Sequence, residues 1–264
     1  ADNDINIYFM GTRPFWKQKV DSAIEIHEYQ SLSVPPYSNL KDLVKKMVNR
    51  KPQGRIFLNN IVRADLNFTD DCPYIMRDMG VDDAFFSSSR EGEEKKYDIV
   101  YSGTIDARVG LVNMLHMLAI QGYKVLVIGH ISTDSQQHLE STNNVQCRGK
   151  VAYQDLPALY RKAKYGLNYT PDIYPFNVQT STKTLEYLAS GLKLISNRYD
   201  WIEQFCIKQN YSPIWLEDLI GGQALVDVDL NNNPPNMEEY RWSSILDNAQ
   251  FEEFLLRLLK DNVK

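Results

Sequence analysis

The chain is poor in cysteine, and the three it has, Cys72, Cys147 and Cys206, are widely separated and odd in number. That argues against a disulfide framework and against a cysteine-rich zinc site, and it fits a reducing cytosol. Long apolar runs are missing as well: none approaches the roughly 18 residues needed to span a bilayer, and no signal peptide precedes Ile5. The expectation is a cytoplasmic protein, with a peripheral contact at the inner face of the membrane left open. Positive charge is not in surplus either. The formal net charge is −5, which supplies no general basic field and argues against nucleic acid as a partner. What the 264 residues do contain is 43% hydrophobic side chains, enough to bury an ordinary core in one large or two small domains.

The first third of the chain is weakly patterned. Residues 3–10 read as a short strand, and Gly11 permits a tight turn at its carboxyl end, where α/β proteins place ligands. Residues 12–19 mix basic and aromatic side chains, which suits a surface loop, an acceptor-binding loop or a membrane-surface contact. Residues 23–29 form a second candidate strand with His27 near its end, a residue type more often structural than catalytic but suited to proton transfer near neutral pH. Residues 39–48 read as an amphipathic helix, 55–60 as a strand and 67–86 as irregular. The polar stretch 87–96, without apolar period, is expected to be an interdomain linker or a surface loop. The expected domains are therefore 1–96, a short α/β lobe with its linker, and 97–264.

Beyond residue 96 strands and helices alternate. Strands are expected at 98–103, 123–129, 145–151 and 165–170, and helices at 109–121, 156–164, 200–209 and 251–260. The last of these is a candidate to pack back on the first lobe. Short connections between such elements imply a parallel, doubly wound sheet. Gly103 and Gly129 each close a strand, so backbone there can approach a ligand with no Cβ in the way.

The stretch Thr180-Ser-Thr-Lys-Thr-Leu-Glu-Tyr-Leu-Ala-Ser-Gly-Leu-Lys-Leu-Ile-Ser-Asn-Arg198 reads as a polar loop, a short helix, a glycine stop and a buried strand. Thr180, Ser181 and Thr182 are N-cap candidates, and the N–H groups that follow make a positive pole suited to a phosphate. Lys183 and Glu186 share one face of the first turn; Leu185, Leu188 and Ala189 form the apolar face, and Gly191 ends the helix. A glutamate so placed also suits a plain solvated position.

Lys183-x-x-Glu186-Tyr-Leu-Ala-x-Gly191 with its apolar strand resembles the nucleotide-sugar-binding segment of GT-B glycosyltransferases, particularly the GT4-like group. The resemblance extends over about residues 97–201, and it implies two Rossmann-like lobes with the donor bound in the second. Glu186 would hold the donor ribose, and the start of its helix would face the diphosphate. Ser102 to Gly110 resembles the first donor loop of that group, with Thr104 where an arginine is usual and Arg108, one residue out of register, able to stand in as the phosphate charge. Cys147 to Tyr160 resembles the segment that reads the base, through Gly149, Lys150 and Val151. The group's fuller motif has a second glutamate eight residues before Glu186, where this chain has Val178, with Asn177 adjacent and Asp172 upstream. The backbone of Asn177 to Thr180 would lie by the sugar and diphosphate. His27 is a candidate on the acceptor side.

No Asp-x-Asp metal motif stands in a suitable place, so Arg108, Lys183 and the helix start at Thr182 are expected to replace a metal in stabilising the leaving diphosphate. The function so implied is metal-independent transfer of a sugar, with retained configuration, from a nucleotide diphosphate donor to a glycan or lipid-linked acceptor. The setting would be polysaccharide or glycoconjugate synthesis, with no cofactor beyond the donor itself. Two other classes compete: a nucleotide-sugar epimerase on the same fold, and a donor-binding module that has lost catalysis or depends on a partner.

Overall fold

The computed structural model describes residues 4–9, 12–18, 23–86, 94–106, 108–222, 224–225 and 233–262. The turn expected at Gly11, Lys19 and residues 87–93 of the expected linker lie outside the described residues. The chain divides into two compact units, Ala1–Gly80 with Trp242–Lys264, and Val81–Arg241. The division at residues 96 and 97 expected from the sequence thus falls inside the second unit, and the last two helices belong to the first.

The first unit is a four-stranded parallel sheet in sequential order, β1 (Ile5–Phe9), β2 (Ile24–Tyr29), β3 (Gly54–Phe57) and β4 (Tyr74–Met76), with α1 (Ser38–Val48) and α2 (Asn60–Leu66) in the crossovers. Neither α2 nor β4 is expected from the pattern. The helix is short, started by Asn59, whose side chain accepts from the Val62 N–H at 2.9 Å, and held by burial of Val62 and Leu66. The strand has three residues behind Cys72-Pro73 and forms only by pairing with β3. A second helix layer comes from the end of the chain, α9 (Trp242–Asn248) and α10 (Phe251–Asn262). Phe254 and Leu258 of α10 pack on Ile24, Ile26 and Ile56. The fit is close enough that a Cβ on Gly54 would lie 2.7 Å from Leu258 Cδ1.

In the second unit six parallel strands run in the order β10 (Ile214–Trp215), β9 (Lys193–Ser196), β8 (Ala163–Asn168), β5 (Tyr97–Ser102), β6 (Val125–Ile128), β7 (Val145–Arg148). The chain travels outward from β5 to β7, returns to the other side of β5 at β8, and continues to β10. The sheet is therefore doubly wound, and the order reverses between β5 and β8. α3 (Leu111–Ile120) buries Leu111, Leu115 and Leu118 against one face, the stripe expected from the spacing. The polar α4 (Thr133–Glu140) buries only Leu139 among its residues, which is why no hydrophobic period announces it. α5 (Leu156–Tyr160) stops short of the expected Lys164 because Ala163 and Tyr165 pair with Tyr97 and Ile99 of β5 as strand. α6 (Thr182–Ala189), α7 (Asp200–Gln209) and α8 (Leu216–Ile220) complete the unit.

Candidate functional site

Side chains and loops at the carboxyl ends of a doubly wound sheet meet a crevice where the strand order reverses. Here that crevice is a cavity of about 280 Å³ between the loop after β5 (Gly103, Thr104, Arg108), the loop after β8 (Tyr169, Thr170) and the start of α6 (Thr180, Thr182, Lys183). A second cavity of about 280 Å³ continues it toward β7, past Gly129, His130, Lys150 and Val151. Ser102, Gly103, Thr104 and Lys183 line both. The result is a groove along the carboxyl edge of β8, β5, β6 and β7.

Three contacts fix α6 over this edge. The Tyr187 ring lies directly on the β8 backbone, where a Cβ on Gly166 would be 2.3 Å from Tyr187 Cγ. Its hydroxyl accepts from the Ser102 N–H at 2.8 Å, tying the helix to the end of β5. Ser181, the N-cap, accepts from the Thr184 N–H at 3.3 Å and donates to Asn168 Oδ1 at 2.9 Å. Asn168 in turn donates to Ser196 Oγ and to Tyr199 OH, each at 2.9 Å, so the ends of β8 and β9 are joined to the helix start. Of the first turn, Thr184 gives its N–H to the cap, while Thr182 and Lys183 line the crevice at the positive end of the helix dipole. Gly191, at φ +75°, ends the helix as its position suggests. The loop after β5 is held by Asp106, which accepts from the Ser132 N–H at 2.7 Å and from Ser135 Oγ at 2.6 Å. These bonds keep the Asp106 carboxyl below the usual carboxylate range.

Lys183 does not stand alone. Its ammonium donates to Glu186 Oε2 at 2.7 Å, and the Tyr160 hydroxyl donates to the same oxygen at 3.2 Å. Tyr160 also meets Ser102 Oγ. Burial above all, with the neighbouring Tyr187 and Glu186, pushes the Tyr160 phenol far above its ordinary range, so it stays a donor. Glu186 is only 5% exposed and lines neither cavity. It faces inward and holds the lysine that does line them. Glu186→Ala removes the charged acceptor that the buried Tyr160 hydroxyl shares with the Lys183 ammonium, and should cost about 1–3 kcal/mol of stability. Glu186→Gln keeps an acceptor and should recover the thermal midpoint but not nucleoside diphosphate affinity, as read by melting and by calorimetry side by side. Equal affinity in all three proteins would remove the carboxylate from the site.

Of the residues singled out from sequence, Gly103, Thr104, Arg108, Gly129, Lys150, Val151, Thr180, Thr182 and Lys183 come together along this groove. Arg108 donates to the Tyr169 carbonyl, which sets its guanidinium at the reversal point. Asn177 does not line either cavity; its amide donates to Asp172 Oδ1 at 3.0 Å and Asp200 Oδ2 at 3.4 Å. His27 belongs to the first unit. It is buried within β2, 4% exposed, with Nε2 2.8 Å from Glu25 Oε1, and burial lowers its pKa against the raising effect of Glu25. That is the environment of a neutral, satisfied sheet histidine.

Tyr160, Asn168, Tyr187 and His130 were not singled out from the sequence. Asn168 had a signal, a polar residue closing an otherwise apolar strand; the tyrosines work across strands and had none. A larger cavity of about 780 Å³ lies in the first unit, but the Arg55 and Asp70 that line it are already paired with each other. Among the described residues no group of three or more His, Cys, Asp or Glu side chains assembles as a metal cage.

A family model described as glycosyl transferase-like matches residues 108–211. No curated protein matches the chain in sequence. Among solved structures, AviGT4, a glycosyltransferase involved in avilamycin A biosynthesis, is similar at 15% identity and a TM-score of 0.61, over 99% of this chain and 75% of that one. Sucrose-phosphate synthase from Thermosynechococcus elongatus is similar at 14% and 0.61, over 89% and 68% of the two chains. HepE of Anabaena in complex with UDP is similar at 11% and 0.63, over 89% and 72%. A putative UDP-N-acetylglucosamine 2-epimerase from Listeria monocytogenes reaches 0.53 at 10% identity, over 96% and 76%. The fold is that of GT-B glycosyltransferases, and it is shared with an epimerase.

Proposed function

We propose that this chain, with its GT-B fold and its glycosyl transferase-like segment, transfers a sugar from a nucleotide diphosphate donor bound in the groove of the second unit. The observation that carries the reading is the meeting of two cations, Arg108 and Lys183, with a helix N-terminus at the reversal point of the sheet. A diphosphate placed there has its charge met from three directions. The base extends toward Lys150 and Val151, and Glu186, which lines neither cavity, acts on the donor through the lysine it holds rather than by touching the ribose. As the bond from the anomeric carbon to the diphosphate oxygen breaks, charge grows on that oxygen and the cations stabilise it. An acceptor hydroxyl, on a glycan or a lipid-linked sugar, forms the new bond and passes its proton to the departing diphosphate oxygen. Retention of configuration and a cytoplasmic setting are carried over from the resemblance. His27, buried in its sheet, is left out of this mechanism.

Because side chains and a helix end take the place of a divalent ion, turnover should persist in EDTA. An absolute requirement for added manganese or magnesium contradicts this part of the proposal.

Release of nucleoside diphosphate from a panel of donors, with and without mixed acceptors, tests the reading. A second reading, a donor-binding module that depends on a partner, is favoured by Val178 at the position of the group's other glutamate and by the engagement of Asn177 with Asp172 and Asp200. Tight donor binding with no release under any acceptor would select it, and conversion of the sugar without acceptor would select the epimerase.

A further inference from the structure

Helix α1 is amphipathic with its faces reversed. Leu40, Leu43, Val44 and Met47, spaced as one helical stripe, are between 48% and 72% exposed, and no residue of the helix is buried. The side that meets the protein is polar: Asp42 accepts from the Ser33 N–H at 3.2 Å, and Lys45 donates to Ser33 Oγ at 2.8 Å. Beside the helix end, Phe15 and Trp16 stack edge to face, 65% and 64% exposed. Their loop is fastened to that end, with the Phe15 N–H donating to the Val48 carbonyl at 3.0 Å and the Arg50 N–H to the Arg13 carbonyl at 3.0 Å. An exposed apolar surface of this kind marks an interaction site.

The surrounding charge says what kind. Residues 38–51 carry five cations, of which Lys45 pairs with Asp42 and Arg50 with Glu25, each at 3.7 Å; Lys41, Lys46 and Lys51 supply the positive surface, in a chain whose net charge is −5. At 100° per residue Lys41 and Lys46 fall on opposite sides of the stripe. The Lys46 stem can lie along apolar surface while its ammonium reaches an anionic layer, and the Lys41 ammonium, donating to the exposed Val34 carbonyl at 3.0 Å, adds its charge on the other side. Aromatic side chains suit the boundary between acyl chains and headgroups. The helix has 11 residues, too few to cross a bilayer, so it would lie in the surface.

We infer that α1 with the Phe15-Trp16 loop is a docking surface for anionic lipid, holding the protein on a membrane through a reversible, salt-sensitive contact. This is independent of the donor reading, since none of these residues lines the groove.

The test is sedimentation of the intact chain with vesicles of phosphatidylglycerol and phosphatidylcholine, and with phosphatidylcholine alone. Binding is expected only to the anionic vesicles, weakening as salt rises. Leu43→Glu with Met47→Glu should lower the bound fraction about tenfold or more, and Lys41→Glu with Lys46→Glu should do the same. None of the four positions is buried and none lines the groove, so nucleoside diphosphate binding should not change and melting should shift only slightly. No sedimentation with anionic vesicles, or equal sedimentation of either double variant, overturns the inference. So does a dimer in solution that Met47→Glu dissociates, which would make the stripe an interface between copies of this chain.

Discussion

Lys183→Met should lower kcat/KM by roughly 10- to 100-fold, the equivalent of losing one charge-assisted hydrogen bond. The fall should appear in kcat as well as in KM, because charge on the leaving diphosphate grows toward the transition state and the lysine interacts more strongly there. Lys183 is also the partner of a buried carboxylate, so the substitution alone leaves Glu186 unpaired and should cost stability in its own right. Lys183→Met combined with Glu186→Gln removes both charges. That double variant should melt near the wild-type temperature and still fail to turn over donor. Arg108→Met should cost less, since its guanidinium is already engaged by the Tyr169 carbonyl. A Lys183→Met protein with wild-type turnover would show that the diphosphate is held elsewhere.

The second large effect is expected at a glycine. Gly129 sits at φ +143°, and a Cβ there would lie 2.0 Å from the Gly103 carbonyl oxygen. The backbone is fixed from both sides: the Gly129 N–H donates to the Gly149 carbonyl at 3.2 Å, and the Gly103 N–H to the Ile128 carbonyl at 3.0 Å. Neither strand end can give way without opening the turns that line the groove. Gly129→Ala should therefore cost roughly 2–6 kcal/mol, the sum of a strained backbone conformation and overpacking. Nucleoside diphosphate affinity should fall with it, because the loops after β5, β6 and β7 move together. Gly149→Ala is the control. Nothing lies within 4 Å of a Cβ built there, and its φ is not in the left-handed region. It should stay within about 0.5 kcal/mol of wild type in urea denaturation. Equal stability of the two variants would mean that the turns are not coupled as described.

Local chemistry made the helix start at Thr182 legible. A serine cap, an apolar face and a glycine stop are written within twelve consecutive positions, and the structure places Ser181, Leu185, Leu188 and Gly191 in those roles. The strands β5, β6 and β9 were legible for the same reason, as each carries an apolar run closed by a polar residue or glycine, whereas β10 has only two residues and no pattern of its own. What could not be read depends on partners far along the chain. Tyr187 counts because Gly166 lacks a side chain beneath it, and Glu186 turns inward because Tyr160 and Lys183 wait there. Helix α2 and strand β4 exist through packing and pairing, with too few residues to carry a period. Helix α1 shows the opposite failure. Its amphipathic pattern was plain, but a pattern does not say which face meets water, and here the polar face is turned to the protein.

Titration calorimetry of the intact chain with a panel of nucleoside diphosphates, each with its monophosphate in parallel, tests the central claim most directly. The account predicts that the diphosphate binds more tightly than the monophosphate, that Lys183→Met reduces this difference, and that the Leu43→Glu, Met47→Glu protein retains it in full. Binding of every diphosphate no tighter than its monophosphate by the wild-type protein, or diphosphate binding that Lys183→Met leaves unchanged, would contradict it.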